Sequence, residues 1–419
     1  MATDNEKHWA GCHGETITYR ELDKFLDYSI LLNQADAEAG AERFATCIWG
    51  HSGIGKTSKV RQFKKKKVKW RGKDYDGYAI HYVSLAQFEE MGDLHGLPDK
   101  HVLVTKFDVM DSGELLEKWV PLDLSEGYLS QGWEVSHEAG IRTMYAPPEW
   151  VPTEDGPSIL IIDDFNKAGS RIVKGAMQLL QDYGLMSWKL PDGCNIIMTG
   201  NPDEQDYFVT TLDPSQLQRL RSCTLKFDAK EWAVWAESAG MAPQVTSFVL
   251  AYPEQLTQGT QRTSPRSISE FGRFLSLGLN PSIRDIQVMA HALLDKATVA
   301  SFISFMERDF ELVVSPEDIM DGNPIVEKHI KDVMTRKEKR IDVVSVTCDR
   351  LFAYLSRPET EPTDDAVKNV QKFLCCEHLT AEIRYVFIDR LNKASDQNPN
   401  MDKWFMGDTT LMKLVMETV

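Results

Sequence analysis

The chain has 419 residues, 42% hydrophobic and 26% charged, which is length for two or three domains and excludes wholesale disorder or a collagen-like repeat. Its formal net charge of −16 excludes a general nucleic-acid coat, because phosphate binding draws on clustered Lys and Arg that release counterions. No apolar stretch approaches the ~18 residues of a membrane helix, residues 1–15 hold no apolar core for a secretory signal, and the seven scattered cysteines lack zinc-ligand spacing, so a cytoplasmic protein with reduced thiols and no membrane association is expected.

Residues 1–40 are expected as an N-terminal helical extension, with Thr18 able to cap a helix whose Leu22, Phe25, Leu26 and Ile30 recur at helical spacing. Residues 44–49 read as a buried strand, and similar short apolar runs follow at 78–83, 101–105, 159–162, 195–199 and 224–227. Their alternation with helical or loop-like stretches predicts an α/β core over 41–228, a parallel sheet covered by helices. Beyond Phe227 the strand signals fade. Helices are predicted at 232–239, 268–277, 283–294 and 299–306, giving a helical region over 229–310. Ser315-Pro316 and the Pro-rich 358–362 punctuate a further helical region over 311–419, for which the sequence assigns no role. One charge run, 59–73, includes Lys64, Lys65, Lys66 and Lys67 and meets no acid before Asp74. It reads as the end of a helix, where cations suit the negative C-terminal dipole, or as a contact for a phosphate backbone.

The most informative motif is GHSGIGKT, residues 50–57, which fits G-x-x-x-x-G-K-[ST] after a predicted strand and before a predicted helix. Such a loop lets backbone N–H groups curl around phosphate oxygens at the positive end of a new helix. Gly50, Ser52, Gly53, Ile54, Gly55, Lys56 and Thr57 are therefore candidate nucleotide-binding residues, with Lys56 reaching the β and γ phosphates and Thr57 ligating Mg²⁺. In ILIIDDFNKAG, residues 159–169, an apolar strand ends in two acids. Ligands bind at such strand ends in open α/β sheets. Asp163 is a candidate Mg²⁺ holder, usually through water, and Asp164 a carboxylate that polarises the attacking water. Asn166-Lys167 is not the guanine-reading N-K-x-D, because position 169 is Gly, so ATP is preferred over GTP.

The glycine-rich loop, the acid pair followed by Phe165-Asn166-Lys167-Ala168, MTGNP at 198–202, LDPSQLQRL at 212–220 and TSPRS at 263–267 occur in this order. Together they resemble the MoxR branch of the AAA+ ATPases, over about residues 41–305. The resemblance implies a core with a parallel five-stranded sheet, an α-helical lid over 229–310, ATP and Mg²⁺ as cofactors, and self-association into a ring, expected as a hexamer. It implies Asn201 as the sensor that hydrogen-bonds the attacking water or γ-phosphate, Arg219 as an arginine finger acting on a neighbouring subunit's ATP with Arg221 as a nearby rival, and Arg266 as the lid's phosphate sensor. Ser264 as a cap and Pro265 at the first helical position would set Arg266 in a helix's first turn.

The family usually carries Glu where this chain has Asp164. A side chain one methylene shorter brings the carboxylate about 1 Å short of the water, so slow hydrolysis is expected. The segment between the loop helix and the acid pair is long for the family. Its aromatic and Pro-rich piece, 144–152, reads as packing against the sheet or as a pore-facing client loop. Trp232 and Trp235, at helical spacing, read as lid core.

The expected activity is that of an ATP-driven ring ATPase remodelling a protein client, with a von Willebrand factor A-like partner implied by the resemblance. The alternatives are a DNA-directed motor or restriction-type subunit, and a slow ATP switch or scaffold.

Overall fold

A computed structural model describes residues 12–107, 115–202, 209–257, 262–279, 281–308, 310–335, 340–396, 398–407, 411 and 414. The chain falls into two compact units, 1–17 with 21–226, and 18–20 with 227–419.

The first unit is built on a six-stranded, wholly parallel sheet. From one edge its strands run Glu15–Ile17, Leu220–Leu225, Ala45–Trp49, Cys194–Gly200, Ser158–Asp163 and Ala79–Ser84. The two innermost strands, Ala45–Trp49 and Cys194–Gly200, are buried at every residue, as a sheet covered on both faces requires. The helix Tyr19–Ala39 buries Leu22, Leu26 and Ile30, while Ser170–Asp182 buries Ile172, Val173, Ala176, Met177, Leu179 and Leu180. Both patterns are the 3.6-residue stripe of a helix lying on a core.

Three expectations change here, and one open reading is narrowed. The sheet has six strands rather than five, because Glu15–Ile17 adds an edge strand beside Leu220–Leu225. The last predicted strand, 224–227, lies earlier, at Leu220–Leu225, because polar Arg221 and Ser222 interrupt its apolar pattern. The predicted strand at 101–105 is not in the parallel sheet. It is the middle of Pro98–Phe107, which pairs antiparallel with Leu115–Pro121 on one side and with Glu134–Val135 and Ile141–Tyr145 on the other. That insertion has its own small core of Val102, Val104 and Val120, so an apolar run alone did not reveal which sheet it joins. In the segment 144–152, Val151 is buried and Trp150 packs edge-on to Trp188, with ring centroids 5.8 Å apart. The packing reading of that segment is the one these contacts match.

The second unit is helical. Ala229–Ser238, Pro243–Ala251, Pro265–Leu275, Ile283–Leu293 and Lys296–Arg308 are followed by Pro316–Met320, Ile325–Met334, Ile341–Leu355, Asp364–Leu374 and Ala381–Ser395. Among the described residues it shows two hydrophobic cores. One is aromatic, with Phe248, Phe271, Phe302 and Phe305 fully buried and meeting at ring-centroid distances of 5.1 to 5.8 Å. The other gathers Leu351, Val370, Leu374, Leu391 and Trp404. Trp232 packs beside the aromatic core, but Trp235 is 48% exposed and is not lid core. Residues three apart lie only about 60° apart on a helix, so the two rings stay in contact, centroids 6.0 Å apart, with Trp235 at the exposed margin of the buried stripe.

Candidate nucleotide-binding site

Register decides what meets at the sheet's C-terminal edge. Gly200 is opposite Trp49, and Asp163 is opposite Ser84, so the glycine-rich loop, the acid pair and the MTGNP stretch leave neighbouring strands side by side. The loop then turns through conformations suited to glycine. Gly50 has φ 149°, and a Cβ there would lie 2.6 Å from Ile54 Cδ1 and 2.8 Å from the Leu225 carbonyl oxygen. Gly55, at φ 93°, starts the helix Lys56–Arg61 from the left-handed region.

Lys56 is only 5% exposed. Its ammonium donates to the carbonyls of Gly50 at 2.6 Å and His51 at 2.9 Å, and to Asn201 Oδ1 at 3.2 Å. Burial lowers its pKa to about 8, against the opposing pull of Asp164 and Asp163. Thr57 donates to Asp163 Oδ1 at 2.5 Å, Thr199 donates to the same oxygen at 2.6 Å, and the Tyr82 hydroxyl donates to Asp163 Oδ2 at 3.0 Å.

Asp164 adopts φ 48°, ψ 43°, a left-handed conformation that Asp tolerates better than most residues. Its backbone N–H is held by Thr199 Oγ1 at 2.9 Å. The turn aims its carboxylate away from that of Asp163. Oδ1 accepts from Asn201 Nδ2 at 2.8 Å and Oδ2 from Lys167 Nζ at 2.5 Å. Burial works to raise this carboxyl's pKa, but Lys167, Asn201 and Lys56 together outweigh it and hold the group below the usual carboxylate range. Asn201 is fully buried and is fixed by a reciprocal pair: Asn166 Nδ2 donates to its carbonyl at 2.8 Å, and its N–H donates to Asn166 Oδ1 at 3.1 Å.

The structure thus brings together Gly50, Lys56, Thr57, Asp163, Asp164 and Asn201. It also supplies four residues that sequence reasoning had not singled out. Thr199 lies two positions before Asn201 in the quoted MTGNP stretch. Asn166 and Lys167 stood in the quoted motif without a role, and nothing in the sequence pointed to Tyr82, whose strand merely alternates.

Arg219 and Arg221 have different surroundings. Arg221 donates to Ser29 O at 3.2 Å, Asn33 Oδ1 at 2.6 Å and Asp36 Oδ2 at 3.2 Å, so its guanidinium is engaged inside its own unit and it is set aside as a finger. Arg219 is half-buried, in the turn after the short helix Pro214–Leu217, and shows no side-chain hydrogen bond or ion pair among the described residues. In the second unit Ser264 caps the helix Pro265–Leu275 and accepts from Ser267 N at 3.2 Å, with Pro265 at its first position. Arg266 is exposed in that first turn.

The donors fit a magnesium nucleotide. A hydroxyl and a carboxylate, both hard oxygen donors, meet at Thr57 and Asp163 beside a lysine ammonium and a glycine loop at a helix start.

No protein-family model matches the chain. No curated protein matches it either. Among solved structures, the Thermotoga maritima RuvB Holliday junction branch migration motor is 12% identical, over 75% of this chain and 76% of that one, with a TM-score of 0.30. Drosophila ORC bound to DNA is 10% identical over 84% and 77%, at 0.23. The Bacillus subtilis DNA clamp loader delta protein is 10% identical over 93% and 98%, at 0.22. Likenesses at this level say nothing of what this chain binds or does. Among the described residues, no helix is long and apolar enough to cross a membrane.

Proposed function

We propose that this chain is an ATP-binding and ATP-hydrolysing AAA+ protein of the MoxR type, working as a ring on a protein client, with a von Willebrand factor A-like protein as partner. The observation that carries the nucleotide reading is the single hydrogen-bonded cluster of Lys56, Thr57, Asp163, Asp164 and Asn201, joined through Thr199. In this reading Lys56 holds the β and γ phosphates, and Thr57 with Asp163 holds Mg²⁺, which when bound offsets phosphate charge. Asp164 and Asn201 orient the attacking water. Arg219, with no side-chain hydrogen bond or ion pair among the described residues, would complete a neighbour's site, and Arg266 would sense phosphate from the lid. The regions 1–40, 41–228, 229–310 and 311–419 are proposed as extension, core, lid and a further helical region; the separate cores around Phe248 and Leu351 support the last division, while the strand Glu15–Ile17 ties the extension into the core's sheet.

The test is calorimetric titration of MgATP into the parent and Lys56→Ala proteins. The variant should lose measurable binding while keeping its circular dichroism, and the parent should prefer ATP to GTP. Equal ATP affinity in the two proteins overturns the assignment.

One observation favours a slow switch as a second reading. Both oxygens of Asp164 are already engaged, by Asn201 and Lys167, and its stem is the shorter of the two acids. Single-turnover hydrolysis slower than dissociation of the bound nucleotide would favour the switch over the motor.

A further inference from the structure

Nine cations fall within residues 59–73, and no Asp or Glu lies among them, in a chain of net charge −16. The run is not the end of the loop helix, as its sequence suggested. That helix stops at Arg61, a 3-10 turn follows over Gln62–Lys65, and a hairpin pairs Val68–Trp70 with Lys73–Tyr75. The helix dipole therefore does not account for the lysines.

Several of these cations are occupied. Lys59 pairs with Asp23 at 2.6 Å, Lys66 with Asp27 at 2.5 Å, and Arg71 with Asp155 and Asp192 at 3.1 and 2.7 Å. The Arg61 guanidinium lies over the Tyr82 ring at 4.9 Å, and the Lys73 ammonium lies 5.2 Å from the Tyr75 ring. Lys64, Lys65, Lys67 and Lys69 differ. All four are exposed, and none has an ion pair or hydrogen bond among the described residues. Asp74 is the register partner of Lys69, yet no ion pair joins them, and exposed Asp76 follows the hairpin. The support beneath is rigid: Phe63 and Trp70 are 2% and 4% exposed, Phe63 packs edge-on to Tyr78, and Tyr78 N–H donates to the Phe63 carbonyl at 3.1 Å.

We propose that Lys64, Lys65, Lys67 and Lys69 form a docking strip for the phosphate backbone of nucleic acid, bound without regard to base sequence. Between residues 59 and 77 no large apolar side chain is exposed. A protein partner is normally met by an apolar or aromatic centre from which Lys is depleted, whereas a phosphate backbone asks only for cations. Trp70, the one tryptophan in the run, is buried and cannot stack on a base. The proposal goes beyond the nucleotide reading and does not depend on it.

The test is fluorescence anisotropy of a labelled duplex DNA with the full chain, without nucleotide. Four phosphate contacts predict a slope of log affinity on log salt of about −3.6, or a loss of about 150-fold between roughly 50 and 200 mM salt. A single strand should give about −2.8. Two duplexes of unrelated sequence should bind alike. The combined Lys64→Gln, Lys65→Gln, Lys67→Gln, Lys69→Gln protein, altered only at exposed positions, should keep its melting temperature and lose most of this affinity and its salt slope. The proposal is overturned if the parent shows no binding at the lowest salt, or if the fourfold variant keeps the parent's slope. It is also overturned if the variant changes only self-association by sedimentation, which would make the strip a contact for an acidic protein surface.

Discussion

The Lys56 ammonium offers a quantitative handle on the nucleotide site. Burial lowers its pKa from 10.5 to about 8, and an arriving polyphosphate places negative charge against it and raises that value again. With a free-state pKa of about 8, the group is about 10% neutral at pH 7 and about 90% neutral at pH 9. MgATP binding should therefore take up about 0.1 proton at pH 7 and about 0.9 at pH 9, and affinity should fall about tenfold across that interval. Titration calorimetry in buffers of different ionisation enthalpy measures this uptake directly. Lys56→Arg is the control, because a guanidinium stays charged throughout and should take up none. The same shift has a consequence for the fold. The unfolded chain binds more protons than the native one between pH 8 and 10.5, so this group makes stability rise with pH through that window. Uptake below about 0.2 proton at pH 9, after subtraction of the Lys56→Arg value, would refute the reasoning, since it would mean that burial leaves the ammonium charged.

Three further predictions concern Lys167 and the two arginines. Lys167→Met removes a cation that lowers the Asp164 pKa, so the acid limb of the turnover profile should move to higher pH, and turnover on its plateau should rise rather than fall; an unmoved acid limb would separate Asp164 from the chemistry. Arg219→Ala should bind ATP normally but hydrolyse it about a thousandfold more slowly, at the modest end of what a finger contributes, and should regain activity in mixed assemblies with Lys56→Ala. Arg221→Ala should instead cost about 2 kcal/mol of stability in denaturant titrations, because three hydrogen bonds of a charged group are lost. If the Arg221 variant is as stable as the parent and the mixed Arg219 assemblies stay inactive, the two roles have been exchanged.

Much of the site was legible because its chemistry is local in sequence. A loop of fixed spacing and an acid pair at the end of an apolar run each carry their role in a few consecutive residues. Strand register then brings Gly50, Asp163 and Asn201 to one edge without further information. What the sequence concealed depends on side chains arriving from elsewhere. Tyr82 reaches Asp163 only because Ala79–Ser84 is the neighbouring strand, and a single tyrosine on a half-buried strand announces nothing. Arg221 and Arg219 look interchangeable as letters, yet one donates to the helix Tyr19–Ala39 and the other shows no side-chain hydrogen bond or ion pair among the described residues. The insertion between Pro98 and Tyr145 was misplaced for a similar reason, since short apolar runs do not say whether they pair parallel or antiparallel.

The polar groups of the site form a connected chain, and that constrains how ATP can act on it. An ammonium has three donors, and those of Lys56 are spent on Gly50, His51 and Asn201. A phosphate taking up Lys56 must displace at least one of these acceptors, and the Asn201 contact, at 3.2 Å, is the longest of the three. Its loss leaves Asn201 Oδ1 open to accept from a water while Nδ2 still donates to Asp164 Oδ1. The Asn201 backbone is held at both polar atoms by Asn166, so its amide can move only about its own side-chain torsions. On the proposed reading, the arrival of a phosphate at Lys56 would be transmitted to Asp164 through the Asn201 amide, which would end with a free acceptor beside the carboxylate. Lys167 remains on the other carboxylate oxygen, so nucleotide binding alone rearranges only one of the two contacts that hold Asp164. Release of the second requires either the phosphate or a neighbouring group to draw the Lys167 ammonium away. On the proposed reading, Lys167 is then the residue on which the rate of hydrolysis would turn, even if Lys56 sets the affinity.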